Sequence, residues 1–330
     1  MKRCKRCILP VNFPHVTFDK EGVCNLCREY KGRDADKRLK KEYRDKFKRL
    51  IKGLAGKSEY DVLMCYSGGK DSTYTLDIFK NVYKLKVLAF TLDNGFFAER
   101  AYVNIRNAVE KLDVDHIFFK VRFELLKKIF KRAMRGESFY PKKTLERAST
   151  ICTSCVGFVK YVSLKIAIEK DIPFIGFGWS PGQAPITSSV LKIEPLMIKS
   201  MEMALKGPMS KIAGKGIEPY FLNERHYSKR DFPIFIHPLA FLGYDEEKIL
   251  KKIGKFGWKK PPEVDLNATN CLLNTLADEV HIAKYGFHPY VYEIAKFVRE
   301  GYMTRREGLK HIPFEKDQKV IRMVKKRLGV

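Results

Sequence analysis

Apolar residues along this chain fall into two kinds of segment. Short, nearly continuous runs occur at 61–65 (Asp-Val-Leu-Met-Cys), 86–92, 115–121 and 174–177, each bounded by polar residues, and read as strands buried on both faces. Between them, apolar positions recur at three- and four-residue spacing over 74–82, 100–112, 123–134 and 156–168, the period of a helix with one buried side. Strands alternating with helices predict an α/β fold built on a doubly wound parallel sheet.

The flanks read differently. Residues 33–57 are rich in Lys and Arg, with Leu39, Tyr43, Phe47, Leu50 and Ile51 at helical spacing, which predicts one amphipathic helix leading into the core. Beyond Ile186 the pattern is mostly helical, at 189–206, 245–254, 272–284, 290–299 and 305–310, with a short apolar run at 233–238. The expected organisation is a module at 1–30, a basic linker helix at 31–58, a nucleotide-binding domain at 59–186 and a helical substrate or cluster-holding subdomain at 187–330. At 330 residues the chain is long enough to bury a full core.

The chemistry centres on Ser67-Gly68-Gly69-Lys70-Asp71-Ser72, directly after the first expected strand and at the start of a helix. Two glycines let a backbone approach an anion, helix-start amides point at it, and Lys70 adds a positive charge. A nucleotide pyrophosphate is the natural occupant. The four-residue gap of a kinase-type phosphate loop is absent. In a parallel sheet, ligands bind outside the carboxyl ends of the strands, so Asp93 and Asn94 after the second strand, and Gly178 to Gln183 after the fourth, are expected beside the nucleotide. Asp-Asn-Gly at 93–95 is also ordinary turn chemistry.

Seven of the eight cysteines form two groups. Cys4, Cys7, Cys24 and Cys27 make two Cys-x-x-Cys knuckles, the donor set of a closed tetrahedral zinc site, with a rubredoxin-like iron site as the other reading. Stripping that metal is expected to unfold the module and leave ATP binding largely intact. Cys152, Cys155 and Cys271 supply three thiolates with one open position, the donor set of a catalytic 4Fe-4S cluster; a redox pair for persulfide chemistry, or unrelated buried thiols, are the competing readings. A helix start at Cys152 is expected to lower its thiol pKa. Cys65, inside the first strand, reads as a core residue.

Charge adds a partner. The chain carries 64 Lys and Arg against 38 Asp and Glu, a net +26, a field that favours a polyanion such as RNA, although Lys-rich surfaces also accompany heat adaptation. No run of the sequence suggests a membrane span or a signal peptide, and grouped cysteines fit metal sites better than disulfides, so a cytoplasmic location is expected.

The motif Ser67-Gly68-Gly69-Lys70-Asp71-Ser72 resembles the signature of the PP-loop ATP pyrophosphatases (adenine nucleotide alpha hydrolase-like), a resemblance covering about 61–182. It implies that ATP, with magnesium, is cleaved between the α and β phosphates to adenylate an acceptor oxygen. Cys152, Cys155 and Cys271 with an N-terminal zinc module resemble the iron-sulfur tRNA 2-thiolation enzymes, which implies a tRNA acceptor, a sulfur donor, and catalytic roles for Lys70, Asp71 and the three cysteines. Their Gly-His-Asn-x-Asp-Asp run is missing from 178–183. The stretch 18–27 with its knuckles, and 299–307 (Arg-Glu-Gly-Tyr-Met-Thr-Arg-Arg-Glu), are similar to the N-acetyl sugar amidotransferases, which implies amide formation on a sugar carboxylate with a separate glutaminase subunit; that family's pattern lacks the Cys152–Cys155 pair. A nucleotide-dependent RNA-binding module is a third reading, and a homodimer is left open. Of these, sulfur transfer to tRNA is the leading expectation.

Overall fold

The computed structural model describes residues 1–136, 139–229, 231–313 and 317–330. Its strands are β1 (Val62–Cys65), β2 (Val87–Asp93), β3 (Asp115–Lys120), β4 (Phe174–Phe177), β5 (Val190–Leu191) and β6 (Ile234–Ile236), in one sheet of order β3-β2-β1-β4-β6-β5. All pairs are parallel except the one between β5 and β6. The chain winds outward from β1 through β2 to β3 and then returns to β4 on the other side of β1. The crevice at the carboxyl ends of β1 and β4 is therefore the switch point, where such sheets bind ligands. This is the fold that the loop motif implies, a doubly wound parallel sheet with the loop at its carboxyl edge.

The main helices are α1 (Arg33–Leu54), α2 (Lys70–Asp77), α3 (Glu99–Leu112), α4 (Phe123–Met134), α5 (Thr150–Glu169), α6 (Pro195–Ala213), α7 (Glu246–Gly254), α8 (Leu273–Tyr285), α9 (Val291–Glu300), α10 (Arg305–Lys310) and α11 (Gln318–Leu328). Successive side chains of a strand point to opposite faces, and both faces are covered here. Val62 and Met64 pack with Phe47 of α1, Leu76 of α2 and Ile105 of α3, whereas Leu63 and Cys65 pack with Ile129 of α4, Phe158 of α5, Leu276 of α8 and Val324 of α11. Burial on two sides explains why β1, β2 and β4 read as unbroken apolar runs.

The structure departs from the sequence reading in several places. The helix expected at 33–57 ends at Leu54, and its Phe47 is wholly buried edge-on to Phe79 and Phe174, so α1 is a layer of the core and not a free linker. The sheet continues past Ile186, because β6 pairs with β4; the boundary expected there falls inside the sheet. β5 takes residues that the 189–206 helix was expected to hold, and α6 starts at Pro195. The helix after the loop begins at Lys70 and passes into a π turn over Ile78–Val82. The charged α11 was not expected; it buries only Val320, Ile321, Val324 and Leu328.

Among the described residues, α5 is the one helix long and apolar enough to cross a bilayer, contrary to the reading that no segment comes near doing so, but 61% of its most apolar window is buried. It packs on β1, β2 and β4 as the central helix of one layer. Its start is also earlier than the apolar pattern suggested, since the Ser149 hydroxyl accepts from the Cys152 amide at 3.1 Å and caps it.

Candidate functional site

The loop from Ser67 to Ser72 joins β1 to α2 at the switch point. Gly68 has φ +73°, and a Cβ there would lie 2.6 Å from Ile105 Cγ1; one on Gly69 would lie 2.5 Å from Thr269 Oγ1. Gly178, at the end of β4, meets α2 so closely that a Cβ would stand 2.4 Å from Ser72 Cα. Two side chains from distant segments hold the loop in shape. Trp258 Nε1 donates to the Gly68 carbonyl at 2.9 Å, and Asn270 Nδ2 donates to the Ser67 carbonyl at 2.9 Å. The first-turn amides of a helix have no partner within it, so the start of α2 offers free donors to an anion. A cavity of about 260 Å³ lies over it, bordered by Ser67, Gly69, Lys70, Asp71, Ser72 and Gly178 among others.

Lys70 is the electrostatic centre. Its Nζ lies 3.2 Å from both Asp71 oxygens and 3.6 Å from Glu246, and donates to Tyr244 Oη at 2.7 Å. Burial alone would lower its pKa, but the carboxylates of Asp71 and Glu246 outweigh burial and raise it, so the ammonium keeps its charge. Burial lifts Asp71 against the pull of Lys70, while Tyr244 Oη donates to Asp71 Oδ1 at 3.0 Å.

Glu293 of α9 borders the same cavity and accepts a 2.6 Å hydrogen bond from Ser180 Oγ. Burial, which outweighs that bond and Lys70, pushes its pKa up to about 7, with the Asp71 charge adding to the rise. Between the ordinary value near 4.5 and about 7, the folded protein holds a proton that the unfolded chain has released. The contribution of Glu293 is therefore fully present below 4.5 and is lost as pH rises through that window, by up to about 3 kcal/mol. In urea titrations at pH 5 and pH 8, Glu293→Gln is expected to flatten this slope. An unchanged slope in the variant would place the proton elsewhere.

A second cavity, of about 300 Å³, is bordered by Cys152 and Cys155 from the start of α5 and by Cys271, which bridges to Phe97 just ahead of α8. Asn94 Nδ2 donates to Cys155 Sγ at 3.6 Å and to Cys271 Sγ at 3.4 Å. Cys152 Sγ donates to Asn274 Oδ1 at 3.7 Å, as does Tyr290 Oη at 3.0 Å. Asn274 is fixed in that orientation because its amide nitrogen donates to Asp265 at 2.8 Å and Asp278 at 3.0 Å. Ser67, Ser72, Gly178 and Cys271 border both this cavity and the loop cavity, so the two spaces adjoin.

The expected lowering of the thiol pKa at the helix start is overturned. Burial pushes Cys155 up to about 12 and raises Cys152 and Cys271 as well, outweighing the helix-start position and the hydrogen bonds from Ser149 and Asn94. A metal would have to displace those protons. The three thiols do not form a zinc-like shell, since they are not among groups whose ligand atoms all lie within 4.8 Å of one another. Three thiols from two elements facing one cavity, with side-chain amides beside the sulfurs, are a donor set that would suit a 4Fe-4S cluster, in which each thiolate takes a separate iron. Cys65 packs in the core as expected, and its flank also reaches this cavity. Asp93 Oδ1 accepts from the Gly95 amide at 2.7 Å and from Tyr102 Oη at 3.3 Å, so it shapes the turn, and Asn94 faces Cys155 and Cys271 in the cavity that adjoins the loop.

The N-terminal cysteines do form a tight shell. All four Sγ atoms lie within 4.8 Å of one another, with Cys4 to Cys27 at 3.9 Å and Cys7 to Cys24 at 3.7 Å, close to the ~3.8 Å edge of a tetrahedron with ~2.3 Å zinc–sulfur bonds. The amides of Cys7 and Cys24 donate to Cys4 Sγ at 3.4 and 3.2 Å. The donor set therefore fits a four-thiolate metal site. Ile8, Leu9 and Phe13 pack on Phe287, Val291 and Ile294, and Arg305 Nε donates to the carbonyls of Cys4 at 3.3 Å and Cys7 at 3.0 Å. The module thus buttresses α9, the helix that carries Glu293.

The sequence reading missed Glu293, Tyr244, Trp258, Asn270 and Asn274 as site residues. None belongs to a local motif; they reach the loop only because α7, α8, α9 and the segments between them fold back over the sheet edge.

No protein-family model matches the chain. An uncharacterized protein of Methanocaldococcus jannaschii, MJ1599, is 24% identical over 272 residues, which cover 82% of this chain and 79% of the relative. Among solved structures, the U34-tRNA thiolase NcsA from Methanococcus maripaludis with its 4Fe-4S cluster is 19% identical, with 96% of this chain and 91% of that one covered at a TM-score of 0.38. The NH3-dependent NAD synthetase from Campylobacter jejuni is 12% identical over 45% of this chain and 58% of its own, with a TM-score of 0.32. A predicted subunit of tRNA methyltransferase from Methanocaldococcus jannaschii is 15% identical over 70% and 91%, with a TM-score of 0.34. At TM-scores this low the fold rests on the sheet order and the loop of the chain itself.

Proposed function

We propose that the protein is a PP-loop ATP pyrophosphatase that adenylates an acceptor oxygen and replaces it with sulfur on tRNA. The observation that carries this reading is the shared wall of the two cavities, where Ser67, Ser72 and Cys271 border both. An activated acceptor and a sulfur-bearing group would meet there without either leaving the site. The acceptor oxygen attacks the α-phosphorus of ATP, the bond to the bridging oxygen breaks and pyrophosphate leaves. A hydrosulfide-class donor then displaces AMP, which departs with the acceptor's former oxygen. The α2 amides and Lys70 hold the polyphosphate and offset charge on the leaving pyrophosphate; magnesium would enter with ATP. Cys152, Cys155 and Cys271 would hold a 4Fe-4S cluster, which supplies an open iron for sulfur when bound. The net +26 suits an RNA acceptor. The second reading, amide formation on a sugar carboxylate, has its resemblance at the two termini, which pack on each other through Arg305 and remain compatible with either acceptor.

Purification without oxygen, with iron content, visible spectrum and AMP release measured on the same preparation, tests the reading. AMP and pyrophosphate are expected only with tRNA present, together with a brown chromophore. Cys271→Ser should lose chromophore and thiolated product while ATP affinity stays within about twofold. Cys65→Ser should keep both, with a packing cost of about 1 kcal/mol. Release of ADP, or Cys271→Ser with full product and an unaltered spectrum, would sink it.

A further inference from the structure

A third cavity, of about 600 Å³, opens beside the first two and shares Trp179 and Gln183 with both. Its walls are largely apolar. The Trp179 indole is held by stacking on His237 at 4.5 Å and 14°, and the Tyr292 ring carries the Arg147 guanidinium 4.7 Å above its centroid. Val156 of α5 and Met201 and Leu205 of α6 complete the apolar surface.

Two polar groups on this wall lack ordinary partners. Lys160 Nζ lies over the Tyr161 and Phe235 rings at 5.5 and 5.7 Å and 4.0 Å from Met201 Sδ, but among the described residues it has no oxygen acceptor and no ion pair. Thr153 Oγ1 is buried without a hydrogen-bond partner. Burial lowers Lys160 to about 8, the mark of an ammonium short of compensating acceptors.

We propose that this cavity seats an unstacked nucleobase of a single-stranded RNA segment, with Lys160 donating to a ring carbonyl. The inference rests on the ATP-dependent reading above and adds the place and chemistry of its acceptor. A base presents two apolar faces and a few in-plane donors and acceptors, which matches aromatic walls edged by Lys160, Gln183 and Glu293. A sugar acid presents hydroxyls all round its ring, and the side formed by Val156, Met201 and Leu205 would leave several unpaired at a cost. Lys142 and Lys143, exposed in the short helix Lys142–Leu145 whose Thr144 borders the cavity, and Arg147 stand where flanking phosphates would lie. Trp179 and Gln183 connect the seat to both other cavities, so the reacting edge of the ring would face the loop and the cysteines.

The test uses the full-length protein without ATP and labelled hexauridylate, followed by fluorescence anisotropy. Hexauridylate is expected to bind about tenfold or more tightly than an abasic ribose-phosphate strand of equal length. Lys160→Met should weaken hexauridylate about tenfold and leave the abasic strand and ATP unaffected. Irradiation of a hexamer containing 4-thiouridine should crosslink to the peptide holding Trp179 or to that holding Tyr292. Equal affinity for the abasic strand, displacement of hexauridylate by galacturonate, wild-type affinity in Lys160→Met, or crosslinks confined to other segments would each overturn the proposal. AMP release on adding ATP and tRNA to the same preparations separates the two claims: base-selective binding without AMP formation there would sink the ATP pyrophosphatase reading and leave the seat standing.

Discussion

Lys70→Ala is expected to lower AMP formation by about 10²- to 10³-fold, the scale on which removal of one preorganised charge-stabilising group acts. The loss should exceed that of a simple phosphate contact. Asp71 and Glu246 lie 3.2 and 3.6 Å from Lys70 Nζ, so without the ammonium their carboxylates would face the polyphosphate uncompensated. Both ATP affinity and the chemical step should fall. Lys70→Arg would keep the charge but not the fit: Nζ sits between Asp71 and Tyr244 in a space that a planar guanidinium cannot enter without displacing one of them, so at most partial rescue is expected. Isothermal titration with a non-hydrolysable ATP analogue, beside single-turnover AMP release, separates the two effects. A variant with unchanged single-turnover rate would remove Lys70 from the chemistry.

Stripping a metal held by Cys4, Cys7, Cys24 and Cys27 should be the largest stability effect in the molecule. Structural zinc in small modules supplies apparent binding free energies of about 10–16 kcal/mol, and here the four thiols are wholly buried around one point. The sequence reading confined the damage to the module. The structure extends it, because Phe13, Ile8 and Leu9 form one apolar cluster with Phe287, Val291 and Ile294, and α9 also presents Glu293 to the nucleotide cavity. Chelation should therefore lower the melting temperature in a separate early transition and weaken ATP binding by several-fold. Stoichiometric zinc in the purified protein, released by a thiol-specific reagent in step with that transition, is the measurement. Metal-free protein with unaltered melting and ATP affinity would refute both the structural role and the coupling.

What could be read from sequence was local. β1, β2 and β4 are buried on both sides and so appear as unbroken apolar runs, while the loop and the knuckles each lie within a few residues of one another. Helix starts were less well placed where capping, and not apolar spacing, sets the boundary, as at Ser149. α11 was hidden because four buried side chains among Lys and Arg make a weak pattern until a sheet layer is there to receive them.

The sequence by itself determined the strand–loop–helix that offers amides and Lys70 to a phosphate, and the four-cysteine shell, since those properties follow from residue type and short spacing. Tertiary structure alone decided that Cys271 joins Cys152 and Cys155 at a cavity adjoining the loop, and that Glu293 and Tyr244 stand beside Lys70 and Asp71. These contacts span many tens of residues or more. They depend on how α7, α8 and α9 close over the sheet edge, and the burial that closure creates is what raises the thiols and Glu293.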